Sequence, residues 1–69
     1  MITQYPAANR LIRLQEVIRL IGLSRSQIYK MQGEGTFPRS IPLAKRSVAW
    51  LEREIQIWMA ERISSRSVN

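Results

Sequence analysis

Sixty-nine residues carry eleven lysines and arginines against five acids, a net charge of +6 and a pI near 11.2. A chain this short makes one small domain, burying only about 60% of its surface on folding, with no room for a separate catalytic domain. It contains no cysteine, histidine or aspartate. That excludes disulfides and thiolate metal sites, and removes the commonest general base and the commonest metal ligand. The charge points to an anionic partner, of which nucleic acid is the usual one; a merely basic soluble domain is the alternative. No apolar run approaches the roughly 18 residues of a membrane span. The N-terminus also lacks the basic-then-apolar plan of a signal peptide. A cytoplasmic protein without membrane contact is the expectation.

Residues 1–9 read as a flexible arm in which Tyr5 has the choice of stacking on the domain or fraying. Arg10-Leu11-Ile12-Arg13-Leu14 suits a brief extended segment. A first helix is expected over Gln15–Ile21, with Glu16 favourably placed in its first turn. Val17 and Ile21, four apart, share a face. With Leu23, Ile28 and Met31 they form an apolar set across two helices; of Ile18 and Leu20, one is expected to meet the third helix.

Gly22-Leu23-Ser24-Arg25-Ser26-Gln27-Ile28-Tyr29-Lys30 reads as the turn and second helix of a helix-turn-helix. Glycine takes the left-handed conformation that ends a helix without a Cβ penalty. Leu23 is an apolar plug, and Ser24 is a good N-cap. Ile28 points inward, which leaves Arg25, Ser26, Gln27, Tyr29 and Lys30 on the other sides, with groups suited to phosphates and base edges. Gly33-Glu34-Gly35 ends this helix, and Thr36–Ser40 is a connector.

Ile41-Pro42-Leu43 and Ser47-Val48-Ala49-Trp50 flank Ala44-Lys45-Arg46 as a small hairpin around a basic turn. Neither Pro38 nor Pro42 suits a central strand. A two-stranded ribbon is weak alone, so it must lean on the helices through Phe37, Ile41, Leu43, Val48 and Trp50. A third helix is expected from Leu51 to about Arg62. Leu51, Ile55, Trp58, Met59 and Arg62 lie on one stripe, which makes the Trp58 face core, with Ile57 off it. Residues beyond Ile63 are expected to fray.

Charge is unevenly placed. Residues 25–46 hold five cations against Glu34 alone, a net of +4, whereas residues 51–62 net −1. That suits a helix entering a major groove, with a basic hairpin on the neighbouring backbone.

Several blocks in order together resemble the AlpA-type prophage regulators. They are Arg10–Leu14, Gly22–Ser26, Ile28-Tyr29, Phe37-Pro38 and Ser47–Trp50 followed by Glu54 and Trp58, so the likeness runs from about Arg10 to Ile63. That family is similar to the excisionases and the MerR-type winged helix domains. The resemblance implies a mainly α fold of three helices with a small β-hairpin wing, a winged helix-turn-helix over residues 10–63, and a short tail at 64–69. It implies binding of double-stranded DNA in prophage or mobile-element control, in a bacterial or phage-encoded protein of the nucleoid. Arg25, Ser26, Gln27, Tyr29 and Lys30 would meet the major groove. Lys45, Arg46, Ser47 and Arg39 would meet backbone or minor groove. Two positions depart from the pattern: Gln15 stands where a proline is common, and Ala44 where a glycine is common, so the wing turn is expected to differ in shape.

Within this reading Arg25 is the first candidate for a guanine contact, its fork matching O6 and N7, against plain phosphate binding. Tyr29 either meets DNA or packs its ring on Phe37. A transcription regulator, for example of an integrase gene, and an excisionase-type architectural factor are both compatible with these residues. An adaptor or antitoxin module using Ile57, Ile63 and the last helix is a further alternative. With so short a recognition helix, a homodimer or a cooperative array on DNA is expected, and RNA polymerase or an integrase are the candidate protein partners. No enzyme activity, cofactor or metal is expected.

Overall fold

The computed structural model describes residues 9–66. Residues 1–8 of the expected arm, Tyr5 among them, and residues 67–69 of the tail lie outside the described residues. The element order is β1 (Leu11–Ile12), α1 (Leu14–Ile21), α2 (Arg25–Gly33), β2 (Ile41–Ala44), β3 (Ser47–Leu51) and α3 (Glu52–Ser65).

The helix ends follow from the local sequence. Gly22 closes α1 at φ 73°, and its N–H donates to Ile18 O at 2.8 Å. Ser24 and Gln27 form a capping box at the start of α2. The Gln27 N–H donates to Ser24 Oγ (3.2 Å), and the Ser24 N–H donates to Gln27 Oε1 (3.0 Å). Two otherwise unpaired N–H groups are thus satisfied reciprocally. At the other end Gly35 turns left-handed at φ 80°. Thr36 N–H then reaches back to Met31 O and Gly35 N–H to Gln32 O, a Schellman closure.

The hairpin gains a third strand from the extended segment ahead of α1. β3 lies in the middle of an antiparallel sheet ordered β1-β3-β2, with Leu11 opposite Leu51 and Ile12 opposite Trp50. Pro42 sits on the edge strand β2, where its missing N–H costs no central ladder bond. The basic turn is tighter than expected: Ala44 pairs with Ser47, leaving Lys45-Arg46 as the link. No non-glycine residue has a positive φ among the described residues, so this link lacks the left-handed pair that matches strand twist. A register irregularity between Pro42 and Ala44 accompanies it.

Ile12, Val17, Ile28, Phe37, Trp50 and Ile55 form the buried core, flanked by half-buried Leu14, Ile18, Ile21, Leu23, Met31, Val48, Trp58 and Met59. Ile18 joins this core, while Leu20 is exposed and lines a shallow apolar groove with Met59 and Ile63. Three expectations need correction. Leu43 is 47% exposed and lies outside the core, because β2 is an edge strand with one face open. The deeply buried tryptophan is Trp50, at 0% exposure; Trp58 is half-buried, its ring 4.9 Å from Phe37 and its Nε1–H donating to Thr36 O at 2.9 Å. The third helix continues through Ser65 instead of ending near Arg62, and the Ser65 hydroxyl donates back to Arg62 O.

Arg10 fastens the start of the domain to α3. Its Nε and Nη2 donate to the two carboxylate oxygens of Glu52 at 3.1 and 3.0 Å, and its carbonyl accepts from Glu52 N–H at 2.8 Å. The hydrogen bonds from the guanidinium hold the Glu52 carboxyl below the usual carboxylate range. A carboxyl depressed in the folded state stabilises above its unfolded value of about 4.3 and loses that contribution as the pH falls through its folded value. The melting temperature of the wild type should therefore drop on acidification below about pH 4. Glu52→Gln should lower it at neutral pH and close the gap with the wild type in acid. A gap that persists unchanged in acid would show that the pair contributes through shape alone.

Candidate nucleic-acid interface

The exposed side of α2 carries Arg25, Ser26, Gln27, Tyr29 and Lys30, while Ile28 alone among the neighbouring residues is fully buried. This is the arrangement expected when one apolar residue per turn anchors a short helix and the rest is left to solvent. Gln27 is not free in the way its sequence position suggests. Its carbonyl oxygen is taken by the N–H and hydroxyl of Ser24, so its amide NH2 is what remains for another partner.

Arg25 and Tyr29 are four apart on one helical face, with the guanidinium carbon 5.8 Å from the ring centroid. The Tyr29 ring lies 6.1 Å from that of Trp50, tilted by 57°. Packing on Phe37 is one of the two alternatives for Tyr29; the Phe37 ring instead meets Trp58, and Tyr29 meets the hairpin tryptophan.

Gln32 ties α2 to the base of the hairpin. Its Oε1 accepts from Ser40 N–H at 3.0 Å and from Trp50 Nε1–H at 3.2 Å, and the same indole N–H also reaches Pro38 O at 3.1 Å. Sequence reasoning did not single this residue out. The available signal was its place four after buried Ile28, a polar side chain on the inward side of a helix.

On the hairpin, Lys45 and Arg46 form the turn and are exposed; Ser47 opens β3 and is half-buried; Arg39 is exposed in the connector. Among the described residues the only ion pairs are those of Arg10 with Glu16 and Glu52. Arg25, Lys30, Arg39, Lys45 and Arg46 thus keep their charge unneutralised by any described side chain. No three His, Cys, Asp or Glu side chains among them are placed to hold a metal ion, and no described helix is long and apolar enough to cross a membrane.

Among the described residues, three helices, two of them joined by a Gly-Leu-Ser turn, with a basic hairpin beside them, define a winged helix-turn-helix. The chain belongs to the family of the prophage CP4-57 regulatory protein (AlpA), whose model matches residues 10–63. It is 47% identical over 58 residues to the uncharacterized protein ORF88 of Enterobacteria phage P4, covering 84% of this chain and 66% of the phage protein, just under two thirds of its length. It is 36% identical over 62 residues to the DNA-binding transcriptional activator AlpA of Escherichia coli K12, covering 81% of this chain and 89% of that protein.

Proposed function

We propose that the chain is a sequence-specific double-stranded DNA-binding protein that regulates transcription in a prophage or mobile element, for example of an integrase gene. The observation that carries this reading is the set of five exposed cations on α2, the connector and the wing, none ion-paired to a described residue. The name of the Escherichia coli relative supports regulation of transcription over an architectural role. In this reading α2 enters the major groove, with Arg25 as the guanine contact and Ser26, Gln27, Tyr29 and Lys30 around it. Lys45, Arg46, Ser47 and Arg39 lie on backbone or minor groove. One short recognition helix reads few base pairs, so two copies bind adjacent half-sites.

Helix and wing should fail differently. Arg25→Ala removes a bidentate base contact and should cost about 1–3 kcal/mol on a selected site, less on random duplex. Lys45→Ala and Arg46→Ala each remove a backbone charge. Each should weaken all sequences alike and reduce the salt slope by roughly one. The measurement is a titration of each variant against a selected and a random duplex, beside a melting curve that should not move. If Arg25→Ala lowers both affinities by one factor, Arg25 is a phosphate clamp. If the wing variants lose only specific binding, the roles of helix and wing are reversed.

A further inference from the structure

We propose that Tyr29 is a positioning residue whose ring holds the Arg25 guanidinium ready to read a base and braces it, through Trp50, on the base of the wing. The inference rests on α2 being the recognition helix and says how that helix keeps its reader in place.

Four observations converge. Arg25 has neither an ion pair nor a side-chain hydrogen bond among the described residues, so the Tyr29 ring, 5.8 Å away, is what orders its head group. The ring is itself seated on one side, 6.1 Å from Trp50, while Tyr29 stays 37% exposed toward solvent. Trp50 has no exposed surface, and its indole N–H is pinned between Gln32 Oε1 and Pro38 O. Finally, the Tyr29 hydroxyl makes no hydrogen bond with a described residue, so within the described residues the side-chain contacts of Tyr29 are those of its ring.

The chemistry fits the task. A guanidinium over an aromatic ring is attracted by the ring's negative face while its edge N–H donors stay free. Those donors are what guanine O6 and N7 require. A long side chain that is ordered before binding loses less rotamer freedom on the DNA. Because the platform is seated on a strand of the wing, the reader and the backbone clamp keep a fixed relation to each other.

Two measurements test this. In the free protein, 15N relaxation of the Arg25 Nε–H should show a restricted side chain in the wild type and in Tyr29→Phe. In Tyr29→Ala it should be as mobile as exposed Arg39. Second, affinities are measured for a duplex selected by the wild-type protein from a random-sequence pool. Tyr29→Ala should weaken binding roughly two- to fivefold, the range of an exposed cation–π contact, and Tyr29→Phe should retain it. In the Arg25→Ala background Tyr29→Ala should cost nothing further, which separates positioning from a general loss of structure. Equal loss in Tyr29→Phe and Tyr29→Ala would overturn the proposal and make the hydroxyl a DNA contact. Additive losses, or an Arg25 equally mobile in all three proteins, would also overturn it. Failure of the wild type to select any duplex would instead overturn the DNA reading, while the relaxation data would still decide whether the ring holds the guanidinium.

Discussion

Trp50→Ala should unfold the domain or leave it barely folded. The residue has no exposed surface and sits in the core with Ile12, Val17, Ile28, Phe37 and Ile55. Truncating a buried tryptophan costs about 3–5 kcal/mol through lost contacts and the cavity left behind. Domains have roughly 0.05–0.15 kcal/mol of stability per residue, which for a chain this short is of the same order as that loss. The substitution would also strip Pro38 O of its donor and reduce Gln32 Oε1 to the single bond from Ser40. Trp50→Phe separates the two contributions: it keeps most of the ring volume and should lose about 1–3 kcal/mol for the polar groups left short of a partner. Trp58→Ala should be milder than Trp50→Ala, because Trp58 is only half-buried and one side faces the Arg62 guanidinium, 4.7 Å from its ring. Chemical denaturation of the three variants checks this order. A Trp50→Ala protein as stable as the wild type would mean that the sheet is not seated on α2 as described.

The helix-turn-helix was legible because its determinants are local. Gly22, Ser24 and the Gly33-Glu34-Gly35 stop act within a turn of where they stand, and periodicity alone marked Ile28 and Ile55 as inward. The basic hairpin was legible from its prolines and charges. What escaped reading depends on partners far along the chain. Arg10–Leu14 is legible as a brief extended segment, but not that Leu11–Ile12 joins the sheet as β1, which happens because β3 offers it an edge. The Arg10–Glu52 pair joins residues 42 apart, with no spacing rule to announce it. Which tryptophan is buried was decided by topology: Trp50 belongs to the central strand of the sheet, covered on both sides by its neighbours, whereas Trp58 borders an open groove. For the site, the cations of α2 and the wing were visible as charge. The engagement of Gln27 in the cap is spelled out by the Ser24-x-x-Gln27 spacing, a signal that sequence reasoning passed over, and the seating of Tyr29 on Trp50 needed side-chain geometry.

In the proposed mode of binding, Arg25 has no selected guanine to read on random duplex and rests on phosphate instead. There the five exposed cations Arg25, Lys30, Arg39, Lys45 and Arg46 each meet a phosphate, and binding is driven largely by release of condensed counterions. The logarithm of the association constant should then fall against the logarithm of salt concentration with a slope near −4.5. Between 50 and 200 mM salt that is a loss of about 500-fold in affinity for random duplex. Exposed charges that merely keep the protein soluble would give no such dependence, since nothing would be displaced on mixing with DNA. The decisive measurement is the affinity for a random-sequence duplex across this salt range, with the Lys45→Ala Arg46→Ala double variant alongside. A straight line near −4.5, made shallower by roughly two in the double variant, is the expected result. A flat line in the wild type would contradict DNA binding by this face.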